Sequence, residues 1–152
     1  PGIIIELLRD GHSVDDLTRL LHRESGLYGL SGGLSSDIRD LIAVMDTEPR
    51  ARLAVDLYVY RVKQYIGSYT TVMNGLDVLI FTDDVGLRVP PLRSAVCRDL
   101  DCLGVRLDEE RNRLASPDRI EPLHVEGSRV RILAVPNDEE GAIYSEGLAL
   151  LA

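Results

Sequence analysis

The chain has 152 residues, 45% of them apolar, which is enough for one domain with a sizeable core. Its 25 acidic and 17 basic side chains give a formal charge of -8, a field that repels phosphate backbones and argues against general nucleic-acid binding. One Phe and no Trp leave no aromatic stacking platform, and no apolar run reaches the ~20 residues of a membrane span.

In chain order, Ile3 to Arg9 reads as a short helix ended by Gly11. Ser13 with Asp16 forms a capping box for a helix running to Glu24, with Leu17, Leu20 and Leu21 as its apolar stripe. Residues 25–36 carry four glycines and read as loop, able to bring backbone close to a ligand. Ser36 is the predicted cap of the next helix, with Asp37 at its start and Leu41, Ile42 and Met45 on its apolar face. Thr47 is the predicted cap of a long helix over Glu48 to Met73, with Pro49 in its first turn and Asn74-Gly75 as a left-handed stop. That helix is apolar on most sides and carries Tyr58, Tyr60, Tyr65 and Tyr69, so it is either central or buried against a partner subunit.

Val78 to Phe81 is a short apolar run followed by Thr82, Asp83, Asp84, Val85 and Gly86. It reads as a buried strand of an α/β sheet delivering polar groups at its carboxyl end, where open α/β sheets bind ligands. Two adjacent carboxylates there could hold a metal, accept a phosphoryl group, or simply stay solvated. Pro90 and Pro91 start a helix expected to run through Leu100, with Gly104 as its stop. Val105 to Leu107 reads as an edge strand. Ile120 to Leu123 and Arg129 to Val135 read as strands around the Glu126-Gly127-Ser128 turn, before a helix from Glu139 to Leu151. The expected fold class is α/β, helix-rich, with three or four short strands and one βαβ-like element. We expect a single domain over residues 1–152.

Cys97 and Cys102 are five apart, on different faces of a helix, which disfavours a zinc pair or a local disulfide and suits thiols in a reducing cytoplasm. The start has no basic leader, so no signal peptide is read there. The chain opens on Pro1 rather than Met, and we expect it to be a portion of something longer. His12, His22 and His124 stand near no nucleophile motif, and no catalytic residue is assigned. Lys63 is the only lysine and sits on the long helix, which ranks a phosphoacceptor role for Asp83 last.

Several motifs agree in order along the chain. They are Ser25-Gly26-Leu27-Tyr28-Gly29-Leu30-Ser31-Gly32 with Ser35-Ser36-Asp37-Ile38-Arg39-Asp40, Tyr60-Arg61 with Tyr65-Ile66-Gly67-Ser68-Tyr69, Gly75-Leu76-Asp77 leading to Phe81-Thr82, Leu107-Asp108 with Asn112, and Pro136-Asn137-Asp138-Glu139-Glu140. Together they resemble the acetate kinase family. The resemblance implies the actin-like ATPase (ribonuclease H-like) fold, in which this chain would be most of the nucleotide-side second domain. It implies transfer of the ATP γ-phosphoryl to a short-chain carboxylate such as acetate, giving an acyl phosphate, with ATP/ADP and Mg²⁺ as cofactors. It also implies a homodimer through the second domain, placed here on the long helix. The carboxylic acid would be bound by an N-terminal domain absent from this chain, whose Pro1 matches the end of the family's Arg-Ser-Gly-Asp-x-Asp-Pro motif.

The resemblance carries a few residues across. Asp37, Ile38 and Arg39 match the segment lining adenosine, and Glu139 matches the Mg²⁺ carboxylate. Asp83, Asp84, Val85 and Gly86 stand on the nucleotide loop, where the family has Gly-Gly-Ile-Gly. Gly86 keeps a glycine of that loop, whereas Asp83 and Asp84 place two negative charges where backbone should approach phosphate. The competing expectation is therefore a non-catalytic kinase remnant serving as a dimerisation or binding module.

Overall fold

The computed structural model describes residues 2–150, with the side chains at 139 and 142 outside the described residues. The chain packs as two compact units, Pro1–Val62 and Lys63–Ala152.

In the first unit, helix α1 (Gly2–Arg9) buries none of its residues. Helix α2 (Val14–Arg19) starts on the predicted capping box: Ser13 Oγ accepts from the Asp16 amide and Asp16 accepts from the Ser13 amide, both at 3.1 Å. The expected continuation to Glu24 is helical but widens into a π turn over Leu20–Glu24. The glycine-rich stretch is not all loop, because helix α3 (Gly26–Leu30) forms within it. Gly32 and Gly33 then take positive φ angles, +73° and +87°. At Gly32 the left-handed backbone favours glycine, because any side chain there is strained whatever the space.

Helix α4 (Ile38–Val44) is capped by Asp37, one residue later than predicted. Helix α5 (Pro49–Val72) has Pro49 as its first residue, as expected. Thr47 does not serve as its cap; the hydroxyl donates instead to the Val44 carbonyl at the end of α4 (3.2 Å). The far end of α5 closes as predicted. Asn74 is left-handed (φ +60°), its amide donates to Thr71 and the Gly75 amide to Thr70, the paired bonds of a Schellman stop. Only Ala51, Ala54 and Val55 of α5 are buried, while Leu53, Leu57, Tyr60, Tyr65, Tyr69 and Val72 stay exposed.

The second unit holds strands β1 (Val78–Phe81), β2 (Glu121–Pro122) and β3 (Arg131–Ala134) in the order β1-β3-β2. β1 and β3 are parallel, with Val78 opposite Arg131 and Phe81 opposite Ala134. β2 runs antiparallel to β3. The parallel pair needs a crossover, supplied by helices α6 (Asp83–Arg88), α7 (Pro90–Cys97) and α8 (Glu109–Leu114). This is the expected βαβ-like element, and helix α9 (Glu139–Ala149) follows it.

Two expectations fail here for local reasons. α7 stops at Cys97, because Arg98 turns extended and Asp99 is left-handed (φ +58°), which sends Leu100 into the core rather than along the helix. The edge strand at 105–107 reduces to one bridge between Leu107 and His124. α6 and α8 were not predicted. The core of this unit gathers Leu87, Cys97, Leu100, Val105, Leu123, Val130, Ile132 and Ala134, with Ile66 and Phe81 packed against it. Each large apolar side chain so buried is worth about 1.5–3 kcal/mol.

Burial, with the Glu109 carboxylate nearby, pushes the Cys97 thiol up to about 12, against smaller opposing effects of Lys63 and Arg93. Cys102 is exposed. A thiol-reactive reagent at pH 8 should therefore modify one cysteine, Cys102, in the folded chain and both in denaturant; rapid native labelling of Cys97 in a peptide map would contradict the packing described.

Candidate functional site at the carboxyl ends of β1 and β3

The neighbouring parallel strands β1 and β3 both end at one cleft. After Phe81 the chain passes through extended Thr82 into α6, whose first residue, Asp83, has φ +64°. A left-handed L-residue costs roughly 1–2 kcal/mol, and Asp is among the few that visit it because its short side chain bonds locally. Here Asp83 Oδ1 accepts from the Asp84 amide at 2.6 Å. Asp84 in turn accepts from Arg88 Nε at 2.9 Å, an exposed i,i+4 pair of small net worth. Val85 is half-buried. Gly86 is helical rather than a left-handed loop glycine; an added Cβ would lie 3.4 Å from the Phe81 carbonyl carbon, so it permits close helix–strand packing.

The β3 side is built from Pro136, Asn137 and Asp138. The Val135 amide donates to the Phe81 carbonyl (2.9 Å), which holds the two strand ends together. Asp138 caps α9 by accepting from the Gly141 amide at 2.9 Å. The cleft between these ends measures about 470 Å³. Asp83, Asp84, Leu87 and Arg88 form one wall; Pro117, Asp118 and residues 136–138 with Glu140 complete it. Five carboxylates and one guanidinium line it. Glu139, the predicted Mg²⁺ ligand, is the first residue of α9, so its backbone stands at this cleft's edge in sequence, but its side chain lies outside the described residues.

Among the described residues, no group of three or more His, Cys, Asp or Glu side chains converges to hold a metal. The oxygen donors of the cleft nonetheless suit a hard cation such as Mg²⁺, which takes one or two carboxylates and completes its shell with water and phosphate. A slightly larger cavity, about 540 Å³, lies beside α8 and β2, is bordered by the Arg119–Glu121 ion pair (2.6 Å) and holds none of the predicted site residues.

Asp37, Ile38 and Arg39 belong to the first unit and line none of this cleft. Asp37 accepts from the Arg39 amide (2.9 Å) and takes the Arg39 guanidinium through both oxygens, with Nη2 to Oδ2 at 2.6 Å and Nε to Oδ1 at 3.0 Å. Those bonds hold its carboxyl at about 2. Ile38 is buried.

Two buried residues that line none of the cleft, Arg93 bonded to its α6 wall and Asn112 bonded to Arg93, were not singled out from the sequence for this role. Arg93 of α7 is fully buried. Its Nη1 donates to the carbonyls of Gly86 and Leu87, its Nη2 to the Asn112 carbonyl, all at 2.7 Å, and its Nε to Asn112 Oδ1 at 2.6 Å. Asn112, buried on α8, donates to the Pro90 carbonyl (3.0 Å) and Ser94 Oγ (2.9 Å). Burial lowers the Arg93 pKa. The available signal was that Arg93 falls on the apolar stripe of its own helix, with Leu92, Val96 and Cys97.

A helix-rich α/β domain with its cleft beyond parallel strand ends is the arrangement of the actin-like ATPase fold, and solved acetate and propionate kinases share it. The acetate kinase of Entamoeba histolytica superposes with a TM-score of 0.89 at 34% identity, over 99% of this chain and 39% of that one. A propionate kinase of Francisella tularensis gives 0.80 at 27% identity, over 92% of this chain and 35% of that one. The acetate kinase of Moorella thermoacetica is 39% identical over 153 residues, 99% of this chain and 38% of that protein. The family model described as the Acetokinase family matches residues 1–145. The chain belongs to that family, and it spans a little over a third of the length of the relatives it matches.

The Asp37 carboxyl, held below its ordinary 3.8, contributes stability that is fully present above about pH 4 and is lost as pH falls toward 2. Asp37→Asn keeps a capping side chain but has no proton to take up. Thermal unfolding midpoints measured from pH 5 to pH 2 should show wild type above the variant at the upper end, with the gap closing toward pH 2; parallel curves would contradict the paired geometry.

Proposed function

We propose that the chain is the nucleotide-side portion of an acetate kinase-like phosphotransferase. In the whole protein it would hold ATP or ADP with Mg²⁺ while residues outside these 152 present a short-chain carboxylate, which receives the γ-phosphoryl to give an acyl phosphate. The observation that carries this reading is the meeting of α6 and the start of α9 at the adjoining carboxyl ends of β1 and β3. Support also comes from the acetate kinases and the propionate kinase that share the fold. In this reading Asp37, Ile38 and Arg39 contribute to the adenosine side, Asp83 to Gly86 face the phosphates, and Glu139 is the Mg²⁺ carboxylate. Mg²⁺, when bound, neutralises phosphate charge; the residues of this chain orient the nucleotide and shape the wall it rests on. The work of this chain is positioning, and closure with the carboxylate-bearing part would align donor and acceptor.

A second reading, a nucleotide-free remnant acting as a dimerisation module, is favoured by the acids of the cleft. A carboxylate ~4 Å from a phosphate charge costs about 4 kcal/mol at an effective dielectric of 20. Asp83 bears more of that penalty than Asp84, which already pairs with Arg88. Calorimetric titration of ATP with and without Mg²⁺ separates the readings. We expect weak binding that needs Mg²⁺, tightened roughly tenfold or more by Asp83→Gly and less by Asp84→Gly. No heat at millimolar nucleotide for wild type and both variants would leave only the remnant.

In either reading we infer a homodimer through α5, whose exposed Leu53, Leu57 and Tyr60 form a stripe at helical spacing. Sedimentation should show a dimer at tens of micromolar, and Leu57→Glu combined with Tyr60→Glu should yield a folded monomer. A wild-type monomer at high concentration would rule the interface out.

A further inference from the structure

We propose that Arg93 is the positioning residue of the nucleotide cleft: its buried guanidinium sets where α6 lies, and through α6 where the cleft meets a nucleotide's phosphates. The inference rests on the nucleotide reading given above.

α6 has six residues, too few to be stable alone. It begins with a left-handed residue and receives no side-chain bond from Thr82. Its exposed first turn, Asp83 and Asp84, forms part of the cleft wall, as do Leu87 and Arg88. Among the described contacts, three bear on its placement. Leu87 enters the core, and Gly86 lies against Phe81. Neither is directional, and neither fixes rotation of the helix about its axis. The third contact does. Arg93 Nη1 takes two successive carbonyls, those of Gly86 and Leu87, among the last of the helix and without intrahelical partners.

The other end of the planar guanidinium is fastened by Asn112, whose backbone and side-chain oxygens both accept from it. Asn112 is itself held by Pro90 and Ser94. The fork thus transmits the position of α8 and the start of α7 to α6. Arg93 is fully buried and lines none of the cleft, so it acts only through α6.

The test is calorimetric titration of the 152-residue chain with MgADP, alongside thermal unfolding, for wild type, Arg93→Lys, Asn112→Ala and Val96→Ala. Lysine keeps the charge and loses the fork. Val96 lies on the same helix and is equally buried, so its truncation destabilises the core without touching α6's carbonyls. We expect Arg93→Lys to raise Kd about tenfold, Asn112→Ala several-fold, and Val96→Ala to leave it within about twofold while lowering Tm comparably. Asn112→Ala carries the test if Arg93→Lys does not fold. Wild-type Kd in both polar variants, or an equal loss in Val96→Ala, overturns the positioning role. The wild-type titration by itself decides the nucleotide reading, so the two failures are distinguishable.

Discussion

The second unit depends on one buried cation. Arg93 is removed from water and, among the described residues, accepts no carboxylate as counter-ion; four N–H bonds go to uncharged oxygens of Gly86, Leu87 and Asn112. An ion so placed is tolerated only when nearly all its donors are used, and removing a partner from such a group costs several kcal/mol. The same bonds answer a second need. The last carbonyls of α6 would otherwise be orphaned beside an apolar core. One side chain therefore satisfies a helix end, joins three helices and fixes the wall of the cleft, which an apolar replacement of equal volume could not do.

The cleft itself carries an electrostatic contradiction. Its place beyond two parallel strand ends suits an anion-bearing ligand, yet five acids and one Arg line it. The lone guanidinium is already paired with Asp84. At Asp83 the backbone takes the left-handed form that a glycine takes freely, and its carboxylate occupies the Asp84 amide. A backbone conformation open to glycine is thus kept at Asp83, while the two carboxylates set the chemistry there. A hard divalent cation, if held by these carboxylates, would supply the positive charge that lets such a wall and a nucleotide coexist.

Legibility in the sequence followed the physics of each signal. The capping box at Ser13, Pro49 at a helix start and Asn74-Gly75 at its end are local chemistry, and each stands where it was read. The strands around β1 and β3 were legible because their apolar runs are short and bounded by turn residues. Thr47 misled because the Val44 carbonyl, three residues back, claims its hydroxyl, and the helix expected through Leu100 misled because the chain turns at Arg98 and Asp99 and the core claims Leu100. α6 was hidden because Asp-Asp-Val-Gly has poor helix propensity, and the bonds that hold it come from Arg93, seven residues downstream of Gly86. The cap of α8 was readable, since Asp108 accepts from the amides of Glu110 and Arg111, and it was passed over.

The long helix shows the limit of reading burial from composition. An all-round apolar α5 implies burial on several sides, yet the chain itself covers only Ala51, Ala54 and Val55 closely. Leu53, Leu57 and Val72 with three tyrosines of the same helix keep a large part of their surface exposed. Sequence hydrophobicity reports the burial of the assembled protein, not of one chain. The exposed apolar excess on α5 is the surface that the homodimer proposed above would cover.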